Sequence, residues 1–198
     1  MINYFIIIII VWIVYTSFPS YRAVQISRGL EKETTPFEQH PQNPNMKILV
    51  MGDSTAYGTG TKDNKDSTAG RLGSQYPNAD IKNISENGLR LEGLVKKLDK
   101  VKEEHFDLIL FQIGANDIIH FTSSDNIKNL LKASLDIAKV MSPHIIVLTS
   151  GNVGLSPTFK WPFSYVMTIR TKMVRKIFKD EIAQRQRVDY VDLYKDRE

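Results

Sequence analysis

From residue 46 onward, short apolar runs alternate with longer stretches in which apolar residues recur at helical spacing. The runs MKILVM, IKNIS, FDLILFQI, HIIVLT and VDYVDL, which begin at Met46, Ile81, Phe106, His144 and Val188, predict five strands. Helical period predicts helices over 66–76, 88–104, 124–141 and 163–186. In the last of these, Val166, Ile169, Met173 and Ile177 recur on one side and predict a buried stripe. Strands separated by about ten or more residues of helix need crossover connections, which run right-handed and build a mainly parallel sheet covered on both faces. The expected class is α/β.

The chain opens differently. Residues 2–18 are apolar except for Asn3, Thr16 and Ser17. At a rise of about 1.5 Å per residue, such a helix sits at the short end of what spans a bilayer. A cleaved signal peptide is the alternative, but its usual basic start and small-x-small cleavage site are both missing. The expectation is an uncleaved transmembrane anchor over 1–20. Arg22 and Arg28 follow it and, on charge bias alone, would keep the rest cytoplasmic, although two arginines leave the side of the membrane open. Residues 31–45, EKETTPFEQHPQNPN, carry three prolines and no apolar period, which predicts an extended linker. The expected organisation is an anchor at 1–20, a linker at 21–45 and one domain at 46–198.

Composition agrees with a single packed domain: 198 residues, 42% hydrophobic and 24% charged. There is no cysteine, which excludes disulfides, thiolate metal sites and a cysteine nucleophile. The net charge of +4 is concentrated. Lys160, Arg170, Lys172, Arg175, Lys176, Lys179, Arg185 and Arg187 stand against only Asp180 and Glu181 between 160 and 187. That stretch reads as a solvated helix face, or as a patch facing anionic lipid headgroups. Interleaved aromatic and basic residues suited to stacking bases are absent, so nucleic acid is not an expected partner.

In open α/β sheets ligands bind beyond the carboxyl ends of the strands, so the residues just after each strand carry the most information. After the first strand comes Gly52-Asp53-Ser54-Thr55-Ala56-Tyr57-Gly58. A serine on a tight strand-to-helix turn can expose its hydroxyl, while backbone N–H groups at the helix start face an oxyanion. It can equally be a helix cap. The second strand leads to Asn87-Gly88, and the third to Gly114-Ala115-Asn116-Asp117. Glycine admits close backbone approach to a substrate, and an asparagine amide is a neutral donor; singly, each is also an ordinary turn or cap. The strings G-x-x-x-x-G-K-[ST], G-x-G-x-x-G and G-x-S-x-G do not occur, which removes the phosphate-loop, dinucleotide-binding and nucleophile-elbow readings.

Taken in order on successive strand ends, GDS, the isolated glycine and G-x-N-D resemble the SGNH (GDSL-like) hydrolase superfamily, over roughly residues 47–193. GDSTAYGTG together with GANDIIHFTS is similar to its lipase-like esterases that bear an N-terminal hydrophobic segment. The resemblance implies a three-layer α/β/α, flavodoxin-like fold around a five-stranded, mainly parallel sheet. It also implies hydrolysis of a small-molecule, lipid or carbohydrate ester without metal or cofactor. Carried over by position, it makes Ser54 the nucleophile, and the Ser54 N–H, the Gly88 N–H and the Asn116 side-chain amide the oxyanion hole.

One block departs from the pattern. The family's Asp-x-x-His lies beyond the last strand, where the His is the general base; here VDYVDL is followed only by Tyr194-Lys195-Asp196-Arg197-Glu198. The expectation is therefore a truncated, poorly active chain, with a non-catalytic acyl- or carbohydrate-binding homologue as the alternative. The single Asp-x-x-His, Asp117-Ile118-Ile119-His120, follows the third strand and makes His120 a substitute base at most. His40, His105 and His144 read as structural. After the fourth strand, the Gly/Pro-rich loop 151–157 leads to Phe159, Trp161, Pro162 and Phe163, aromatics that either wall an acyl pocket or staple the next helix to the core.

Overall fold

The computed structural model describes residues 33–195 and, before them, scattered residues between 4 and 30. The strands are β1 (Met46–Gly52), β2 (Ala79–Asn83), β3 (Leu108–Gln112), β4 (Ile145–Leu148) and β5 (Val188–Val191). They form one sheet in the order β2-β1-β3-β4-β5. All four pairings are parallel, with Ile48 opposite both Ile81 and Leu108, and Ile109 opposite Ile145. The helices are α1 (Ser54–Tyr57), α2 (Thr68–Gln75), α3 (Leu91–Val101), α4 (Ala115–Ile119), α5 (Ser124–Met141) and α6 (Phe163–Ile182).

The sheet is buried on both faces because successive side chains of each strand point to opposite sides and are apolar on both. On one side Leu49, Met51, Ile109, Phe111 and Val147 pack against Leu94 and Leu98 of α3, Leu131 and Leu135 of α5, and Val174 and Phe178 of α6. On the other, Ile48, Val50, Ile81 and Leu110 meet Ala56 of α1 and Ala69 of α2, with Phe37 and Leu72 alongside. The result is the expected α/β/α arrangement. The two short helices α1 and α4 lie outside the predicted helical ranges; each follows a strand and carries candidate site residues.

The predicted stripe on α6 is not buried. Val166 and Ile169 are exposed, and Met173 and Ile177 are only partly covered. The face turned to the core instead holds Ser164, Met167, Thr171, Val174, Phe178 and Ile182, which follow the same 3-to-4-residue period in another phase. Thr171 fits there because its hydroxyl donates to the Met167 carbonyl at 2.7 Å and accepts the Val153 N–H. Apolar period alone chose the wrong face because two apolar stripes compete on this helix.

Part of the stretch ahead of β1 is docked. Gln39 pairs antiparallel with Ile81, and its side-chain amide donates to the carbonyls of Tyr76, Pro77 and Ala79. These bonds cover the free edge of β2, which would otherwise present unpaired backbone groups. The predicted anchor at 1–20 falls largely outside the described residues. Those described within it, Tyr4, Ile6, Ile7, Trp12, Val14, Tyr15 and Phe18, are helical and exposed. Among the described residues, no helix is long and apolar enough to cross a membrane.

Candidate active site

The carboxyl ends of β1, β2 and β3 are laced together by backbone bonds. The Asp53 N–H donates to the Gln112 carbonyl at 3.0 Å, and the Glu86 N–H donates to the Gly52 carbonyl at 3.0 Å. Gly52 is required where β1 turns. A Cβ there would lie 2.0 Å from the Gln112 carbonyl oxygen and 2.8 Å from the Ala56 Cβ.

Asp53, not Ser54, caps α1. Its carboxylate accepts the Thr55 N–H at 3.0 Å and the Thr55 hydroxyl at 2.6 Å. Burial raises its pKa, against the pull of those two bonds. With the cap supplied by its neighbour, Ser54 sits half-buried at the first helical position with its side chain uncommitted. No described residue hydrogen-bonds to its Oγ, and none accepts from its N–H.

Gly88 stands in the turn after β2 at φ +76°, a left-handed conformation that L side chains rarely adopt, with open space around the missing Cβ. The turn is held from several sides. The Leu89 N–H donates to the Glu86 carbonyl, and the Thr59 hydroxyl donates to Asn87 Oδ1 at 2.6 Å.

Asn116 and Asp117 come from α4, which Gly114 opens at φ +118°. Asn116 Nδ2 donates to the Leu89 carbonyl at 3.2 Å, which leaves one amide proton of that group uncommitted. Asp117 is almost fully buried and reaches the start of α3, where Oδ2 accepts the Leu91 N–H at 3.0 Å. Its Oδ1 accepts the Thr122 hydroxyl at 3.0 Å. Burial raises its pKa, while these bonds and the charge of Arg90 lower it. Adjacent residues of α4 therefore grip the backbone on both sides of Arg90, just past Gly88. Asp117 thus caps a helix other than its own, through a residue 26 positions away in sequence.

The structure thus brings Ser54, Gly88 and Asn116 to the ends of neighbouring strands. No hydrogen bond joins His120 to Ser54. His120 is exposed at the end of α4 and lines a cavity of about 270 Å³ with Arg90, Asp117, Phe121 and Asn126, and Ser54 is not part of that lining. His40 bonds Asp80 at the surface at 2.6 Å. Beyond β5, Asp192 is engaged by Arg175 and by Lys179 at 2.8 Å, and the Arg175 guanidinium holds its carboxyl far below the usual carboxylate range. Of the aromatics after β4, Phe159 packs against the core, whereas Trp161 and Phe163 stand exposed. Among the described residues, three buried side-chain atoms without a hydrogen-bond partner, Ser85 Oγ, Gln112 Oε1 and Asn152 Nδ2, lie at or beyond the carboxyl ends of β2, β3 and β4. Nothing in the sequence marks them, because satisfaction depends on three-dimensional neighbours.

The family model of the GDSL-like Lipase/Acylhydrolase family matches residues 50–198. The chain belongs to this family. No curated protein matches the sequence. Among solved structures, this GDSL-like protein is similar to a lipolytic protein of the G-D-S-L family from Veillonella parvula, with a TM-score of 0.55 at 17% identity over 75% of this chain and 78% of that one. It is also similar to an extracellular lipase from Streptomyces rimosus (TM-score 0.58, 13% identity, 74% and 80% covered). A third likeness is to the psychrotrophic esterase EstA from Pseudoalteromonas sp. (TM-score 0.53, 16% identity, 75% and 77% covered). At these identities the likeness establishes the shared fold. Family membership makes the protein hydrolase-like in kind.

Proposed function

We propose that this GDSL-like protein is a serine ester hydrolase that works through an acyl-enzyme on Ser54. In the first step Ser54 Oγ attacks the ester carbonyl carbon and passes its proton to a base, which is solvent water or added imidazole where no side chain is bonded to the hydroxyl; that base returns the proton to the leaving alcohol. The carbonyl oxygen, now negative, is held by the N–H groups of Ser54 and Gly88 and the side-chain amide of Asn116. Collapse of this intermediate breaks the ester C–O bond, and the alcohol leaves with a proton. Water then releases the acid by the reverse sequence of bond changes. What supports this reading is the clamp of Asn116 and Asp117 on the backbone after Gly88, which ties the turns following β2 and β3 together, with Asp53 rather than Ser54 capping the helix after the adjacent β1.

The described residues do not supply this mechanism with a base bonded to the serine. No described residue bonds to Ser54 Oγ, and a serine hydroxyl without a base is a weak nucleophile. On the described residues alone, slow turnover is the expected outcome. The same observation favours a second reading, an acyl- or carbohydrate-binding homologue without turnover.

Chemical rescue separates the two. Added imidazole should raise the rate of p-nitrophenyl ester cleavage above that of a Ser54→Ala control, and a fluorophosphonate probe should modify the peptide containing Ser54. Equal rates for the two proteins, with no labelling, would leave the binding reading. We further propose that residues 2–18 tether the protein to a membrane. The expressed chain should sediment with membranes and keep its N-terminus, and a mature chain starting after Ser17 or Ser20 would exclude an uncleaved anchor.

A further inference from the structure

We propose that the exposed face formed by Trp161 and the first half of α6 is a docking surface for an anionic lipid membrane, distinct from the N-terminal segment and independent of the hydrolase reading. Trp161 is 73% exposed, Tyr165 63% and Ile169 51%, with Phe163 and Val166 also open to solvent. Tyr165, Val166 and Ile169 lie at helical spacing, so they form one continuous stripe. Single exposed apolar residues are ordinary on protein surfaces, whereas a contiguous apolar set marks an interaction site. The stripe is not spare core, because α6 already buries a separate face through Met167, Val174 and Phe178.

The face extends across to α4. Arg170 donates to the carbonyls of Ile118 and Thr122 at 3.1 and 2.9 Å, and its guanidinium lies 4.6 Å from the ring centroid of Phe121, itself 54% exposed. Arg170 therefore fixes a second exposed aromatic beside the stripe, while backbone carbonyls leave its positive charge intact.

Charge identifies the occupant. Between residues 155 and 179 stand Lys160, Arg170, Lys172, Arg175, Lys176 and Lys179, with no aspartate or glutamate. Arg175 and Lys179 are engaged by Asp192, and Lys176 by Asp180, toward the far end of the helix. At the near end, Lys160 flanks Trp161, and Arg170 is held by carbonyls rather than carboxylates. Tryptophan and tyrosine beside an apolar stripe, rimmed by cations, match the chemistry of a bilayer interface with anionic headgroups. The surface also has a useful position. Trp161 follows β4 and Phe121 follows β3, so both lie toward the carboxyl edge of the sheet that carries Ser54 and Asn116, and docking would bring that edge to the lipid.

The test uses the full chain with Trp12→Phe, which leaves Trp161 as the only tryptophan of the two. The protein is mixed with vesicles of phosphatidylcholine, with or without phosphatidylglycerol, and with lipids brominated on their acyl chains as quenchers. With phosphatidylglycerol, Trp161 emission should shift to the blue, be quenched by bromolipid and be shielded from aqueous acrylamide. Salt, Lys160→Glu or Ile169→Asp should each weaken these effects, with the thermal melt unchanged. Trp161 equally open to acrylamide with both vesicle types would overturn the proposal. Shielding already present without lipid, in a species of twice the monomer mass, would overturn it in favour of a second copy of the chain. Ser54 labelling is read separately, so loss of one result does not decide the other.

Discussion

Asp117 Oδ2 accepts the N–H of Leu91 at 3.0 Å, so a residue of α4, the helix after β3, caps the helix that follows β2. Arg90, the residue in the cap position of α3, makes no side-chain capping bond, so Asp117 supplies that function from outside the helix. Replacing Asp117 with alanine should leave the buried Leu91 amide and Thr122 hydroxyl without acceptors, at a cost of about 1 to 3 kcal/mol. Asp117→Asn, which keeps one acceptor oxygen, should cost less. Urea denaturation measures the difference, and faster amide exchange at Leu91 in the alanine variant locates it.

Asn116 separates catalysis from folding. Under the proposed mechanism, Asn116→Ala removes a neutral donor aimed at developing negative charge and should lower kcat by roughly 100- to 1000-fold with KM little changed. Its bond to the Leu89 carbonyl is a single partly buried contact, so stability should fall by only about 1 kcal/mol. Kinetics on imidazole-rescued protein and a thermal melt belong side by side. An unfolded variant, or one altered in KM alone, would make Asn116 a structural or ground-state contact.

Gly52 predicts a larger effect from a smaller change. The added methyl group of Gly52→Ala would meet the Gln112 carbonyl and the Ala56 Cβ, neither of which can move without displacing β3 or α1. A loss on the order of 3 kcal/mol is expected, at the upper end of overpacking costs. Gly88→Ala meets no atom but must adopt φ +76°, so its cost should be smaller and of backbone origin. Thermal denaturation of the two variants tests this order.

Asp192 gives the protein a pH dependence of definite sign. Arg175, and after it Lys179, favour the ionised carboxylate in the folded state, so its folded pKa lies below the unfolded value. The stabilisation is fully present above the unfolded pKa near 4 and is lost as pH falls through the folded value. Asp192→Asn should therefore lower stability at pH 7, by an amount that solvent screening of this partly exposed pair keeps to about 1 kcal/mol or less. The gap to the parent should close as pH falls below about 4. A gap independent of pH would mean that packing, not charge, sets the contribution of Asp192.

The chain's own pattern determined the class of the fold and where on it the candidate site lies. Five apolar runs separated by helical stretches leave few ways to bury both faces of a sheet, and parallel strands place their carboxyl ends on one edge. Ser54, Gly88 and Asn116 were legible because each sits just past such a run, where local sequence dictates the turn. Other features were decided only by tertiary contacts. Whether Ser54 or Asp53 capped α1 depended on which side chain reached the Thr55 N–H. The link from Asp117 to Leu91 joins residues 26 apart and leaves no periodic trace. On α6, two apolar stripes of the same period competed. The sheet took the one containing Met167, Val174 and Phe178 and left Val166 and Ile169 in solvent, because a helix can turn only one face toward a given core.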